Sequence, residues 1–130
     1  MRRRRCLALV LVVAGGCVAA PAVAQHRHDH KPKHGGLVRE ANDFVYELTV
    51  TPTAITVWVT DESDRPVATA GSSATLVLID SGQRVEVVLA PAGDNRFAAS
   101  GAWKFRAGTG ALLEVGVGGR TVAKLRYTLR

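Results

Sequence analysis

The sequence predicts an all-β fold: a single antiparallel, immunoglobulin-like β-sandwich of about seven to nine short strands. Three observations carry this. Beyond residue 36, short runs rich in Val, Ile, Leu and Thr alternate with turn signals. The runs alternate apolar and polar residues with period two, which gives each strand one buried and one solvated face. No stretch shows the 3.6-residue period of a helix. A small barrel is the alternative closure.

The strands are read in order. Leu37–Glu40 is a short edge piece. Phe44–Thr51 sets Phe44, Tyr46, Leu48 and Val50 against Val45, Glu47, Thr49 and Thr51. Ile55–Thr60 sets Ile55, Val57 and Val59 against Thr56, Trp58 and Thr60. A polar turn over Asp61–Pro66 follows. Ala74–Asp80 closes at Ser81-Gly82, and Arg84–Leu89 returns with Val85, Val87 and Leu89 on one face. The turn Ala92–Asn95 leads into Arg96–Ala99, and Trp103–Arg106 is a further short strand. Leu112–Val117 ends at Gly118-Gly119, and Thr121–Leu129 places Ala123, Leu125, Tyr127 and Leu129 on one face. With no cysteine pair in this region, the immunoglobulin likeness is one of architecture only.

Ahead of the domain lies a targeting segment. Arg2–Arg5 form a basic start, Cys6–Ala20 an uncharged apolar run, and Ala22-Val23-Ala24 a small-x-small cleavage pattern. Residues 1–24 are therefore read as a signal peptide cut after Ala24, which makes the protein periplasmic or secreted. The alternative is a lipoprotein anchored through Cys17, after Ala14-Gly15-Gly16. The apolar run is short for a membrane span, and no span is expected in the processed form.

Both cysteines and the one methionine precede residue 25, so the processed chain has no soft sulfur ligand and no disulfide. The formal charge of +6 includes four arginines of the leader; 6 − 4 leaves +2. The pI near 10 therefore does not indicate nucleic-acid binding. About a hundred residues remain, enough to bury one core without disulfides.

The chemistry is concentrated in one place. All four histidines, His26, His28, His30 and His34, fall in a nine-residue stretch, where Asp29 offers one carboxylate as a secondary ligand candidate. Imidazole is the commonest ligand for zinc, copper and nickel. Residues 25–36, polar and punctuated by Pro32 and Gly35-Gly36, read as a flexible arm. His26, His28 and His30 share a face when extended, and His34 can fold back across Pro32. Arg27, Lys31 and Lys33 oppose a cation, so moderate affinity for an exchangeable Cu(II), Zn(II) or Ni(II) is expected. The competing reading is a solvated His-rich linker. Glu47, mid-strand, is a secondary ligand candidate, against the commoner solvated strand glutamate.

Other features are weaker. Trp58 and Trp103 suit a sugar platform, but aromatics in small β-domains more often pack in the core. Asp61–Asp64 lacks the spaced ligands of a calcium loop. Residues 37–130 contain neither His nor Cys, so no Ser/His/Asp or Cys/His combination is available there, no carboxylate pair is singled out, and no enzyme is expected.

The order His34-Gly35-Gly36, Tyr46-Glu47-Leu48, Val57-Trp58-Val59-Thr60-Asp61, Arg65-Pro66-Val67 resembles small exported β-sandwich domains associated with heavy-metal and copper resistance. Such domains lie near the amino end of periplasmic adaptor subunits of metal efflux transporters and also stand alone. The resemblance covers residues 30–70 and the later strands only by pattern. It implies a metal-handling role, with a ligand role for His34 and its neighbouring histidines. The chain departs from the adaptors in having no coiled-coil hairpin, no lipoyl-like segment and no methionine ligands. The leading expectation is an exported metal-binding accessory protein that buffers or passes a divalent ion, with a metal efflux system or another envelope protein as partner. The alternative is a non-enzymatic envelope interaction module with the His-rich segment as tether.

Overall fold

A computed structural model describes residues 30–119 and 122–130. The expected signal peptide, and His26, His28 and Asp29, lie outside these described residues.

Eight strands form: β1 Leu37–Ala41, β2 Phe44–Val50, β3 Ala54–Asp61, β4 Ser73–Asp80, β5 Gln83–Pro91, β6 Arg96–Ser100, β7 Gly110–Gly116 and β8 Ala123–Thr128. All pairings are antiparallel, and no helix occurs among the described residues. The fold is thus all-β, with a strand count inside the expected range. The strands make one sheet in the order β1-β2-β3-β6-β5-β4-β7-β8.

Short turns set the registers. Ser81 and Gly82 link Asp80 to its partner Gln83, with φ of 50° and 79°. Asn42 and Asp43 link Ala41 to Phe44 with φ of 52° and 67°. Two positive φ values match the right-handed twist of the flanking strands, and Asn, Asp and Gly tolerate them best. The polar turn after β3 is built by Asp61. Its carboxylate accepts from the backbone N–H of Ser63 and Arg65, both at 2.9 Å, and from Arg65 Nε at 2.8 Å.

β5 is the corner of the sheet. Its residues Gln83–Leu89 pair with β4, while only Ala90 and Pro91 pair with β6, opposite Ala98 and Phe97. The sheet folds over there, so β4, β7 and β8 come to face β1, β2, β3 and β6. The result lies between the sandwich and the small barrel. β1 and β8 come into contact, and side chains rather than a ladder close the seam. Arg39 Nε donates to the Arg126 carbonyl oxygen at 3.1 Å, and its guanidinium lies 5.6 Å from the centre of the Tyr127 ring.

The core is the inward-facing set that the alternation identifies. Tyr46 and Leu48 from β2, Ile55, Val57 and Val59 from β3, and Leu76, Leu89, Phe97 and Leu113 are almost fully buried. Each such side chain contributes about 1.5–3 kcal/mol by leaving water.

One expected strand is absent. Trp103–Arg106 alternates aromatic and basic residues yet joins no ladder. The Trp103 N–H donates to the Pro52 carbonyl at 3.0 Å, and Trp103 and Phe105 pack against the core. Arg106 turns outward to Asp80, 3.0 Å away. The alternation there marks a loop pinned by two aromatics.

Candidate functional site

β2 departs from alternation: Val45, Tyr46, Glu47 and Leu48 are all buried. Tyr46 and Leu48 face the core. Val45 and Glu47 point to the other side, where they stand opposite Thr60 and Trp58 of β3. What covers them is the chain ahead of β1. The expected boundary at Leu37 therefore falls inside a set of contacts: residues 30–36 lie against the outer face of β1, β2 and β3, and enclose a pocket of about 270 Å³ with it.

Glu47 ties this segment down. Oε1 accepts from the backbone N–H of His34 at 2.7 Å and of Gly36 at 3.0 Å. Oε2 accepts from the Lys33 N–H at 3.1 Å and lies 2.9 Å from His34 Nδ1. Gly35, at φ +72°, supplies the bend that brings the His34 and Gly36 N–H groups onto one oxygen. The four contacts fill the acceptor capacity of a carboxylate. The solvated glutamate favoured by the sequence is thus replaced by one that is 6% exposed. Its burial would raise the carboxyl pKa. The His34 ring and the N–H groups of Gly36, His34 and Lys33 together outweigh that, and hold it below its ordinary value.

His34 is fixed on a second side. Its ring stacks on Trp58, with centroids 3.8 Å apart and planes 4° from parallel. An ionised carboxylate can only accept, so Nδ1 carries the proton facing Glu47. In the neutral ring the lone pair is then on Nε2. The His34 side chain is 41% exposed.

His30 is held separately. Its side chain is 7% exposed, with Nδ1 3.4 Å from Asp64 and Nε2 3.6 Å from Glu40. Lys33 Nζ lies 3.6 Å from the same Asp64 oxygen. The pocket brings together the walls His30, His34, Glu47, Trp58 and Asp64.

Of the candidate ligands, then, His34 and Glu47 are joined directly and His30 lines the same pocket. His26, His28 and Asp29 fall outside the described residues. Among the described residues, no group of three or more His, Cys, Asp or Glu stands ready to hold a metal ion. Trp58, read from sequence as core or sugar platform, is the stacking partner of His34. The signal that points to it is its place opposite Glu47, which only the strand register reveals. Trp103 packs instead over Gly101, where an added Cβ would lie 2.9 Å from the indole.

Fold and site together define an all-β protein of one folded-over sheet, with an N-terminal segment strapped by a buried carboxylate and an imidazole stacked on tryptophan. No family model, curated protein or solved structure matches the chain.

Proposed function

We propose that this chain is an exported accessory protein that binds a divalent transition metal, with His34 as the seated ligand. The observation that carries the reading is the Glu47–His34 pair at 2.9 Å. A carboxylate on the far nitrogen of a metal-binding imidazole fixes its tautomer, orients the ring and raises its basicity. Glu47 supplies that support at Nδ1, Trp58 fixes the ring plane, and Nε2 is the ligating atom. One imidazole does not chelate. The remaining ligands are assigned to His26 and His28, with His30 joining only if it leaves its seat between Glu40 and Asp64. The likeness of the His34-Gly35-Gly36 and Tyr46-Glu47-Leu48 segments to heavy-metal-resistance domains supports the same role. Cu(II), Zn(II) and Ni(II) all suit imidazole ligands, and the ion is exchangeable rather than structural.

Calorimetric titration of the chain from Gln25 with each ion tests the reading. Wild type is expected to bind one ion. His34→Ala is expected to weaken binding by at least about tenfold, and replacement of His26, His28 and His30 together to remove most of what remains. Binding unchanged by His34→Ala would overturn the role of the seated imidazole. Absence of binding by wild type would overturn the function.

A further inference from the structure

The opposite side of the molecule carries a second organised surface. The outward-facing residues of β5, β4, β7 and β8 fall into rows across the four strands, because each is the cross-strand partner of the next. One row runs Glu86–Val77–Leu112–Arg126, the next Arg84–Ile79–Gly110–Thr128, and a third Val88–Thr75–Glu114–Lys124. Val77, Ile79 and Leu112 are half-exposed, and Val88 is 70% exposed. The face therefore has apolar Val77, Ile79 and Leu112 at its centre beside Glu114, which pairs with Lys124 at 3.6 Å; Glu86 and Arg84 lie on its β5 margin, and Arg126 and Lys124 on its β8 margin.

This order is self-complementary. A second copy turned by a two-fold axis parallel to the strands, between β4 and β7, lays β5 over the partner's β8 and β4 over the partner's β7. Glu86 of each copy then meets Arg126 of the other, and Val77 meets Leu112. Ile79 meets Gly110, which has no side chain, so a projection is set against a depression. Strand directions stay aligned, as in the common packing of two sheets. Like charges meet nowhere in these rows, and the Glu86 and Arg126 pairs form twice by symmetry.

We propose that this face is a homodimer interface and that its partner is a second copy of the chain, joined sheet to sheet. The site at His34 lies on the outer face of β1, β2 and β3, so self-association and metal binding are separable.

Sedimentation velocity of the chain from Gln25, in chelator and at concentrations up to about 1 mM, tests it. Wild type is expected to dimerise. Glu86→Arg places two like-charged pairs in the interface and is expected to weaken the dimer on the order of 100-fold; Arg126→Glu does the same. The double reversal Glu86→Arg/Arg126→Glu restores both pairs and should return the affinity to near wild type. Gly110→Thr fills the depression. An added Cβ there meets its own chain only at 3.6 Å or more, so the fold should hold while the dimer weakens. Thermal unfolding checks each variant. A monomeric wild type at the highest concentration, single reversals that dimerise like wild type, or a double reversal that stays monomeric would each overturn the proposal.

Discussion

Gly36 runs so close beneath Leu48 that a Cβ built on it would lie 2.5 Å from the Leu48 carbonyl oxygen and 2.9 Å from Glu47 Cγ. Neither neighbour can give way cheaply, since one is strand backbone and the other carries the strap. Gly36→Ala should therefore lift residues 33–36 from the sheet and cost about 1–3 kcal/mol. The Trp58 indole N–H resonance should shift as the His34 ring leaves it. An unchanged spectrum and midpoint would show that the close approach is not required.

Replacing Glu47 by Gln keeps the shape and removes the charge. The amide oxygen can still accept from the His34 and Gly36 N–H groups, but the NH2 in place of Oε2 cannot accept from Lys33, and it meets His34 Nδ1 only if the ring proton moves to Nε2. The bonds lost are to a charged group, about 1.5–3 kcal/mol against about 1 for a neutral one. A loss of about 2 kcal/mol at neutral pH is expected from urea unfolding.

The same residue sets an acid limit. Because the native carboxyl pKa of Glu47 is lowered, the unfolded chain takes up the proton first as pH falls. The stabilisation is complete above the ordinary carboxylate range of about 4, and disappears as pH drops through the lowered native value. Unfolding free energies of wild type and Glu47→Gln, measured from pH 7 downward, should converge in acid. A gap independent of pH would assign the effect to geometry rather than charge.

The seam between the two ends of the sheet rests on Tyr127, whose hydroxyl donates to the Tyr46 carbonyl oxygen at 3.1 Å in a buried setting. Burial pushes the Tyr127 phenol pKa up, which favours the protonated, donating hydroxyl. Tyr127→Phe should lower stability by about 1 kcal/mol. Amides of β1 and β8 should exchange faster while those of β3 and β4 do not.

Metal binding through imidazole should weaken in mild acid, because protons and the ion compete for the same lone pairs. In Glu47→Gln the ion is expected to bind about tenfold more weakly at pH 7.5, the usual range for loss of such a supporting carboxylate. Equal affinity in wild type and variant would separate the strap from the ligand role.

The strands were legible because alternation over Ile55–Thr60, Ala74–Asp80 and Leu112–Val117 reports a core on one side, whatever the pairing. Trp103–Arg106 misled for the same reason: aromatics at alternate positions can anchor a loop as well as a strand. The pair His34 and Glu47 was visible as two candidates, one from the histidine cluster and one from the Tyr46-Glu47-Leu48 segment. Their union was not. It depends on residues 33–36 lying back over β2, which has no sequence period. Trp58 was hidden further still. Only the register that sets it opposite Glu47 gives it a partner on the outer face.

The strap has a consequence for the chain that precedes it. Covalent geometry keeps the His28 Cα within about 7 Å of the His30 Cα, and His26 within about 14 Å, since a residue spans at most about 3.6 Å. Seating His30 and His34 therefore fixes the point from which the upstream imidazoles are tethered. On the proposed reading, a first bond from an ion to His34 would make the next ones intramolecular, at effective concentrations in about the millimolar range. Release in acid would then begin with protons taking the imidazole lone pairs, while Glu47, with its lowered pKa, would keep the strap in place until the pH had fallen further.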